Sequence, residues 1–312
     1  MPTSTWLTNA GILGLTCVQL IYAQEEASTH FRVNVDMVVL TFTLTDAKGK
    51  YVSGLKPEDL RISEDGVTQK ITAFAEGGRA SVQPSEMQPA ILAGNKIFIL
   101  FDTSNWMYAG FPYASDAVAD FVRHLDHADS IAVYKFSRNL FRSVSLTTDR
   151  AQALSGVRSA VAGDDTALYN TLLLTLRDAA KVAGRKAVVV FSNGPDNASI
   201  VAPDDVATVA EDEGIPIYIV STCGAQQDQI SADVFQRLTT RTGGELFWAR
   251  TWQKQAEAFT LIREDLASSY TVAYYPATSF NEGFRRISVD VVSDTGKKYR
   301  VRTRLGYYAH RH

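Results

Sequence analysis

Five short runs of unbroken apolar residues, separated by helical patterns, constrain this chain more than any other feature. They are KIFILFD (96–102), SIAVYKF (130–136), KAVVVFS (186–192), IPIYIVS (215–221) and GELFWA (244–249). A strand without polar alternation is buried on both faces, and helices between such strands are the crossovers that parallel pairing requires. Helical periodicity is read over 113–126, 167–183, 203–213, 231–242 and 252–267. LFRSVSL (140–146) alternates instead and reads as an antiparallel edge strand. Residues 95–268 are therefore expected to form an α/β domain with a doubly wound, mostly parallel, Rossmann-like sheet.

The flanks follow a different period. VNVDMVVLTFTLTD (33–46) and DLRISEDGVTQKITAF (59–74) alternate, with turn signals at Lys48-Gly49 and Asp65-Gly66. A looser stretch, 77–94, reads as a linker, and alternation returns in YTVAYYP (270–276), RRISVDVV (285–292) and KKYRVRTRLGYY (297–308). Neither flank has enough strands to cover its own apolar face. The economical expectation is one accessory β-sandwich built from 31–76 and 270–308, with the α/β domain inserted. Two small sheets packed separately on that domain are the alternative.

Residues 12–22 (ILGLTCVQLIY) form an apolar stretch too short for a stable membrane anchor, ahead of the small Ala23. We read 1–23 as a cleaved secretory signal, although no Lys or Arg precedes the apolar run, and expect a secreted or periplasmic protein without a remaining transmembrane anchor. Cys17 leaves with that signal, and Cys223 is expected to be a small buried hydrophobe. With two cysteines there is neither a disulfide framework nor a thiolate zinc cluster. A net charge of −3 gives no general attraction to nucleic acid or anionic membranes.

Open α/β sheets bind ligands outside the carboxyl ends of their strands, where strand order reverses. Three loops there carry polar side chains: FDTSNWM (101–107), DDTALYNTL (164–172) and the SNGPDNAS end (192–199) of KAVVVFSNGPDNAS. In order and spacing these resemble the metal-site loops of von Willebrand factor A (VWA) domains. LKPEDLRISEDGVTQKITAF (55–74), SSYTVAYYP (268–276) and YRVRTRLGYY (299–308) resemble a secreted bacterial subgroup, the acidobacterial-type VWFA-related proteins.

The resemblance implies a metal-ion-dependent adhesion site at which Asp-x-Ser-x-Ser, a Thr and an Asp hold one divalent cation, usually magnesium. Asp102, Ser104 and Thr166 match three of the five positions. Trp106 stands at the second serine and offers no oxygen, and Asn193 stands at the second aspartate and lacks its charge. Asp164, Asp165 and Asp196 are candidate compensating acids, though residues just before a helix also serve as caps. The set reads as a degenerate site that holds magnesium weakly or not at all. In that reading Asp102 and Ser104 hydrogen-bond loop amides and Thr166 caps its helix.

Catalysis is not indicated. No glycine-rich phosphate loop follows the first buried strand, no G-x-S-x-G elbow occurs, and His124 with His127 sits on a polar helix end. The expectation is an extracytoplasmic adhesion or envelope-assembly module, with a metal-dependent cell-envelope hydrolase as the alternative. By resemblance its partner is a protein that completes the cation's coordination with an acidic side chain. Without a cation the same face would present Trp106, Met107, Tyr108, Phe111 and Tyr113, as interface anchors or as residues closing the core. Arg300, Arg302 and Arg304 share one strand face, expected to be solvated and accompanied by acids. Asn197 begins an N-glycosylation pattern, NAS.

Overall fold

The computed structural model describes residues 37–77, 79–80, 94–105, 107, 111–222, 227–277, 283–293 and 298–309. All belong to one compact unit, Val35–His312. The signal stretch, Cys17, Cys223, Trp106 and Tyr108 lie outside the described residues.

In chain order the first strands are β1 (Val38–Thr45), β2 (Leu60–Glu64), β3 (Val67–Gln69), β4 (Ile71–Glu76) and β5 (Arg79–Ala80). Then come β6 (Lys96–Asp102), α1 (Phe111–His124), β7 (Ser130–Phe136), β8 (Leu140–Thr147), α2 (Arg150–Arg158), α3 (Leu168–Ala180) and β9 (Lys186–Ser192). They are followed by α4 (Pro203–Asp212), β10 (Ile217–Ser221), α5 (Gln229–Thr242), β11 (Leu246–Trp248) and α6 (Trp252–Ser268). The chain ends in β12 (Tyr270–Tyr274), β13 (Gly283–Val291), β14 (Arg300–Thr303) and β15 (Gly306–Ala309).

The central sheet has the order β11-β10-β9-β6-β7-β8, parallel except for β8, which runs antiparallel to β7 at the edge. Period two divides each strand between two cores. Ile97, Ile99 and Phe101 of β6 pack with Val118 and Val122 of α1, Val157 of α2 and Phe259 and Ile262 of α6. Phe98 and Leu100 face Leu168, Leu172 and Leu176 of α3, Val206 of α4 and Phe235 of α5. From β6 the chain first adds β7 on one side and later β9 on the other, so strand order reverses at the β6–β9 pair. The short helix α2 has no counterpart in the expected elements; Asp149 caps it by accepting from the amides of Ala151 and Gln152.

The two flanks build one sandwich. A five-stranded sheet, β14-β1-β12-β4-β5, and a four-stranded sheet, β15-β13-β2-β3, each combine strands from both ends of the chain. Leu40, Phe42 and Leu44 of β1, Phe74 of β4 and Val272 of β12 meet Leu60 and Ile62 of β2 and Ile287 and Val289 of β13 in a shared core. Asp65 and Gly66 both have positive φ, 47° and 83°, which is the mirror-image turn that a two-residue hairpin between β2 and β3 demands. The stretch read as a linker begins with structure, because β5 pairs with β4.

The arginine strip is not a solvated face. Arg302 pairs with Asp265 of α6, and its Nη1 lies 3.3 Å from Glu245. Asp265 is buried and also accepts from the Tyr218 hydroxyl of β10 at 2.5 Å. Arg304 is buried, donates to the carbonyls of Glu211 and Asp212 and to that of Val39 at 3.3 Å, and lies over the Tyr307 ring. These arginines join β14 to the α/β domain; period two was read correctly, but the face meets protein. Arg300 alone of the three is exposed.

Candidate functional site

Asp102 ends β6 and Ser192 ends β9, so the strand reversal places their side chains together. The Ser192 hydroxyl donates to Asp102 Oδ2 at 2.6 Å, and the Ser104 amide donates to Oδ1 at 2.8 Å. Asp102 is fully buried. Burial pushes its carboxyl above the ordinary carboxylate range, and the Ser192 hydroxyl, the Ser104 amide, the nearby Ser104 hydroxyl and the Asn193 amide offset part of that rise.

Main-chain bonds tie the three loops together. Gly163 N–H donates to Thr103 O at 2.6 Å and Asn105 N–H to Asp164 O at 2.9 Å, joining the first loop to the second. The amides of Asn197 and Ala198 donate to Thr166 O at 3.1 and 3.0 Å, and Thr166 N–H donates to Asn197 Oδ1 at 2.9 Å, joining the second to the third. Within this frame Ser104 Oγ, Thr166 Oγ1 and Asn193 Oδ1 are buried and have no hydrogen-bond partner among the described residues. Native proteins leave few buried polar atoms unpaired. Three of them on loops that are bonded to one another, at the positions the sequence singled out, mark a loop cluster built to receive something.

Several expected roles are placed differently. Thr166 does not cap α3: the helix begins without a side-chain cap from its N-cap residue. Instead Asp196 Oδ2 accepts from Tyr169 N–H, and Ser199 Oγ accepts from Asn170 N–H, both at 3.0 Å. The other oxygen of Asp196 accepts from the amides of Ala198 and Ser199, so this acid is committed to its loop. Asp165 accepts from Asn197 Nδ2 and faces Arg138 at 3.5 Å, while Asp164 is exposed. The Asn197 side chain is thus engaged in joining the loops. Ser104 Oγ makes no bond to a loop amide, although Asp102 does. Among the described residues no group of three or more acidic, His or Cys side chains is placed to hold a metal.

Magnesium asks for six oxygens in an octahedron and dehydrates reluctantly. The oxygens here are of the right kind, but the site carries a single carboxylate, and hydrogen bonds from Ser104, Ser192 and Asn193 already occupy it. An ionised carboxylate has about four acceptor positions, so with three taken Asp102 can offer a cation at most one inner-sphere bond. The residues present do not fit a magnesium ion held by the protein alone.

Around this point lie exposed apolar side chains. Ile200 is 94%, Ile230 80% and Val161 78% exposed, and Tyr113, Trp248 and Trp252 are exposed as well. All but Val161 sit at the carboxyl ends of the parallel strands or the helix starts beside them; Val161 follows α2, two residues before the Gly163 that bonds Thr103 O, and Phe141 lies on β8 at the same end. Among the described residues of the α/β domain, Leu174 and Leu261 are the large exposed apolar side chains found elsewhere. Met107 does not belong to this surface: it is buried in the core and its sulfur accepts from the Thr222 hydroxyl. Phe111 opens α1, with its side chain outside what is described. Sequence reasoning missed Ser192, whose only signal is a hydroxyl at a strand end. It also missed Val161, Ile200 and Ile230, which no local pattern separates from core residues.

Residues 97–195 match the family model described as the von Willebrand factor type A domain. The match begins inside β6 and ends just past Asn193, so it encloses the first two loops and the start of the third. Protein BatB from Bacteroides thetaiotaomicron is similar at 18% identity and a TM-score of 0.47, over 56% of this chain and 100% of that one. A von Willebrand factor type A structure from Catenulispora acidiphila is similar at 14% identity and a TM-score of 0.45, over 88% of this chain and 75% of that one. The vWF domain of the type V pili tip protein Mfa5 from Porphyromonas gingivalis is similar at 18% identity and a TM-score of 0.32, over 33% of this chain and 38% of that one. No curated protein matches the chain.

Proposed function

We propose that this chain is an extracytoplasmic protein-binding module, of the adhesion or envelope-assembly type, that engages its partner through the carboxyl-end face of the α/β domain. One observation carries the reading: most of the large exposed apolar side chains described in that domain lie at the end of the sheet that carries the tied loops of Asp102, Thr166 and Asn193. Exposed apolar residues scattered over a whole surface are ordinary, whereas their concentration on one face is what an interface needs. An acidic side chain of the partner would be the contact if a cation were seated in the site; without one, the apolar rim is the contact.

The leader-like residues 1–23 support a secreted or periplasmic location. The flanking phrases at 55–74 and 268–308 support the acidobacterial-type subgroup. We read the chain as a binder and not as a hydrolase, because Asp196 is committed to helix and loop amides and Asp164 is exposed, which leaves Asp102 without an acid–base partner. The test is a pull-down from envelope extract with the wild-type chain and an Ile200→Ser/Ile230→Ser variant. The variant should melt within about 0.5 kcal/mol of the wild type, as exposed substitutions do, and lose the captured protein. Capture that survives the double substitution would refute this surface.

A further inference from the structure

We propose that Ser104 Oγ, Thr166 Oγ1 and Asn193 Oδ1, beside the carboxylate of Asp102, form a receptor for an ammonium group, R–NH3+, and not for a divalent ion. The proposal deepens the carboxyl-end-face reading and rests on it, since it names what a partner would insert at the centre of the rim.

Three observations converge. Each of the three oxygens is buried without a hydrogen-bond partner among the described residues, and Ser104 and Thr166 are almost wholly inaccessible as residues. Each therefore carries the penalty of a buried polar atom that has lost water and gained nothing. Asn193 Oδ1 can only accept, and the two hydroxyls can accept while their own protons turn elsewhere, so a donor is what all three can take up. An ammonium group brings three donors and no acceptor, one for each oxygen.

Charge points the same way. With Asn193 in place of an acid, Asp102 is the one carboxylate at the centre. A single positive charge neutralises it, whereas a dication leaves a full charge uncompensated and requires hydration water to be given up. Asp102 need not release Ser104, Ser192 or Asn193 to act on an ammonium group, because attraction through its field is enough. The bonds joining the three loops hold the oxygens in place before anything binds, which lowers the ordering cost of binding.

The source of the group is either a partner's lysine side chain or a free ammonium ion, and one experiment separates them. The full chain is melted in chelator-containing buffer at constant ionic strength set with tetramethylammonium chloride, which carries charge but no N–H. Ammonium, n-butylammonium, potassium or magnesium chloride then replaces part of that salt. At ten times the dissociation constant, ammonium should raise the midpoint by roughly 3–5 °C. Potassium, close in size but without donors, should shift it far less, and magnesium no more than potassium.

An equal shift with butylammonium assigns the site to a lysine side chain arriving from outside. A shift with ammonium alone assigns it to the free ion. Thr166→Val and, independently, Ser104→Ala should each abolish the shift, so the failure of one variant to fold leaves the other to decide. Ile200→Ser/Ile230→Ser should leave the shift intact, so loss of partner capture and loss of ammonium response report separately on the two readings. The proposal is overturned if potassium matches ammonium, if magnesium stabilises the wild-type chain more than ammonium does, or if no cation shifts the midpoint at all.

Discussion

Replacing Arg302 with Met tests whether the sandwich and the α/β domain are one energetic unit. Arg302 reaches from β14 to Asp265 on α6, whose carboxylate is 1% exposed and whose other oxygen is held by Tyr218. Met keeps much of the packing volume but leaves a buried carboxylate with two neutral phenols, Tyr218 and Tyr51, as hydrogen-bond partners and no compensating charge from Arg302. Removing one partner of a buried pair costs about 3–5 kcal/mol, mostly as the penalty on the charge left behind. For a chain of this size that lowers the melting midpoint by roughly 10 °C. Asp265→Asn removes the stranded charge, so Arg302→Met/Asp265→Asn should recover a large part of the loss. A double-mutant cycle measured by calorimetry should return a coupling of about 1.5–3 kcal/mol. A coupling below about 0.5 kcal/mol would mean that solvent screens the pair, as for an exposed ion pair, and that these arginines do not weld the two parts together.

Three further outcomes are expected. Trp106→Ser with Asn193→Asp supplies the missing hydroxyl and charge; with a dissociation constant near 1 mM, 10 mM magnesium should then add about 1.4 kcal/mol, a chelator-reversible shift of roughly 3–5 °C that the wild type lacks. Gly243 ends α5 at φ 78°, and a Cβ there would lie 2.6 Å from the Thr303 carbonyl carbon, so Gly243→Ala should cost more than the ~1 kcal/mol of left-handed strain alone, read from the denaturant midpoint. Glu211 is buried, and burial raises its carboxyl above the ordinary value of 4.5 against the opposing pull of Arg241. A raised acid binds its proton more readily in the folded state, so the wild type should gain stability relative to Glu211→Gln as pH falls from neutral toward 4.5, and a gap that widens the other way would contradict this.

Sequence alone determined the elements whose signal is local. Unbroken apolar runs such as KAVVVFS can hide both faces only in a covered parallel sheet, and the five runs became β6, β7, β9, β10 and β11. Asp65-Gly66 specified its hairpin because few other pairs tolerate two positive φ values in succession. Asp102, Ser104, Thr166 and Asn193 were legible as strand-end and loop residues by their order and spacing. What they do there was not, because hydrogen-bond partners come from segments distant in sequence. Asp196, a plausible ligand on paper, is consumed by Tyr169 and its own loop, and Ser192 became the partner of Asp102 only when β9 was laid beside β6. The same limit governed the arginine strip: period two fixed that Arg302 and Arg304 point the same way, but a strand cannot record whether water or another layer lies on that side. Tertiary structure put α6 and α4 there, and it set Ile200 and Ile230 in the open while burying Met107, since exposure depends on what else packs against a residue.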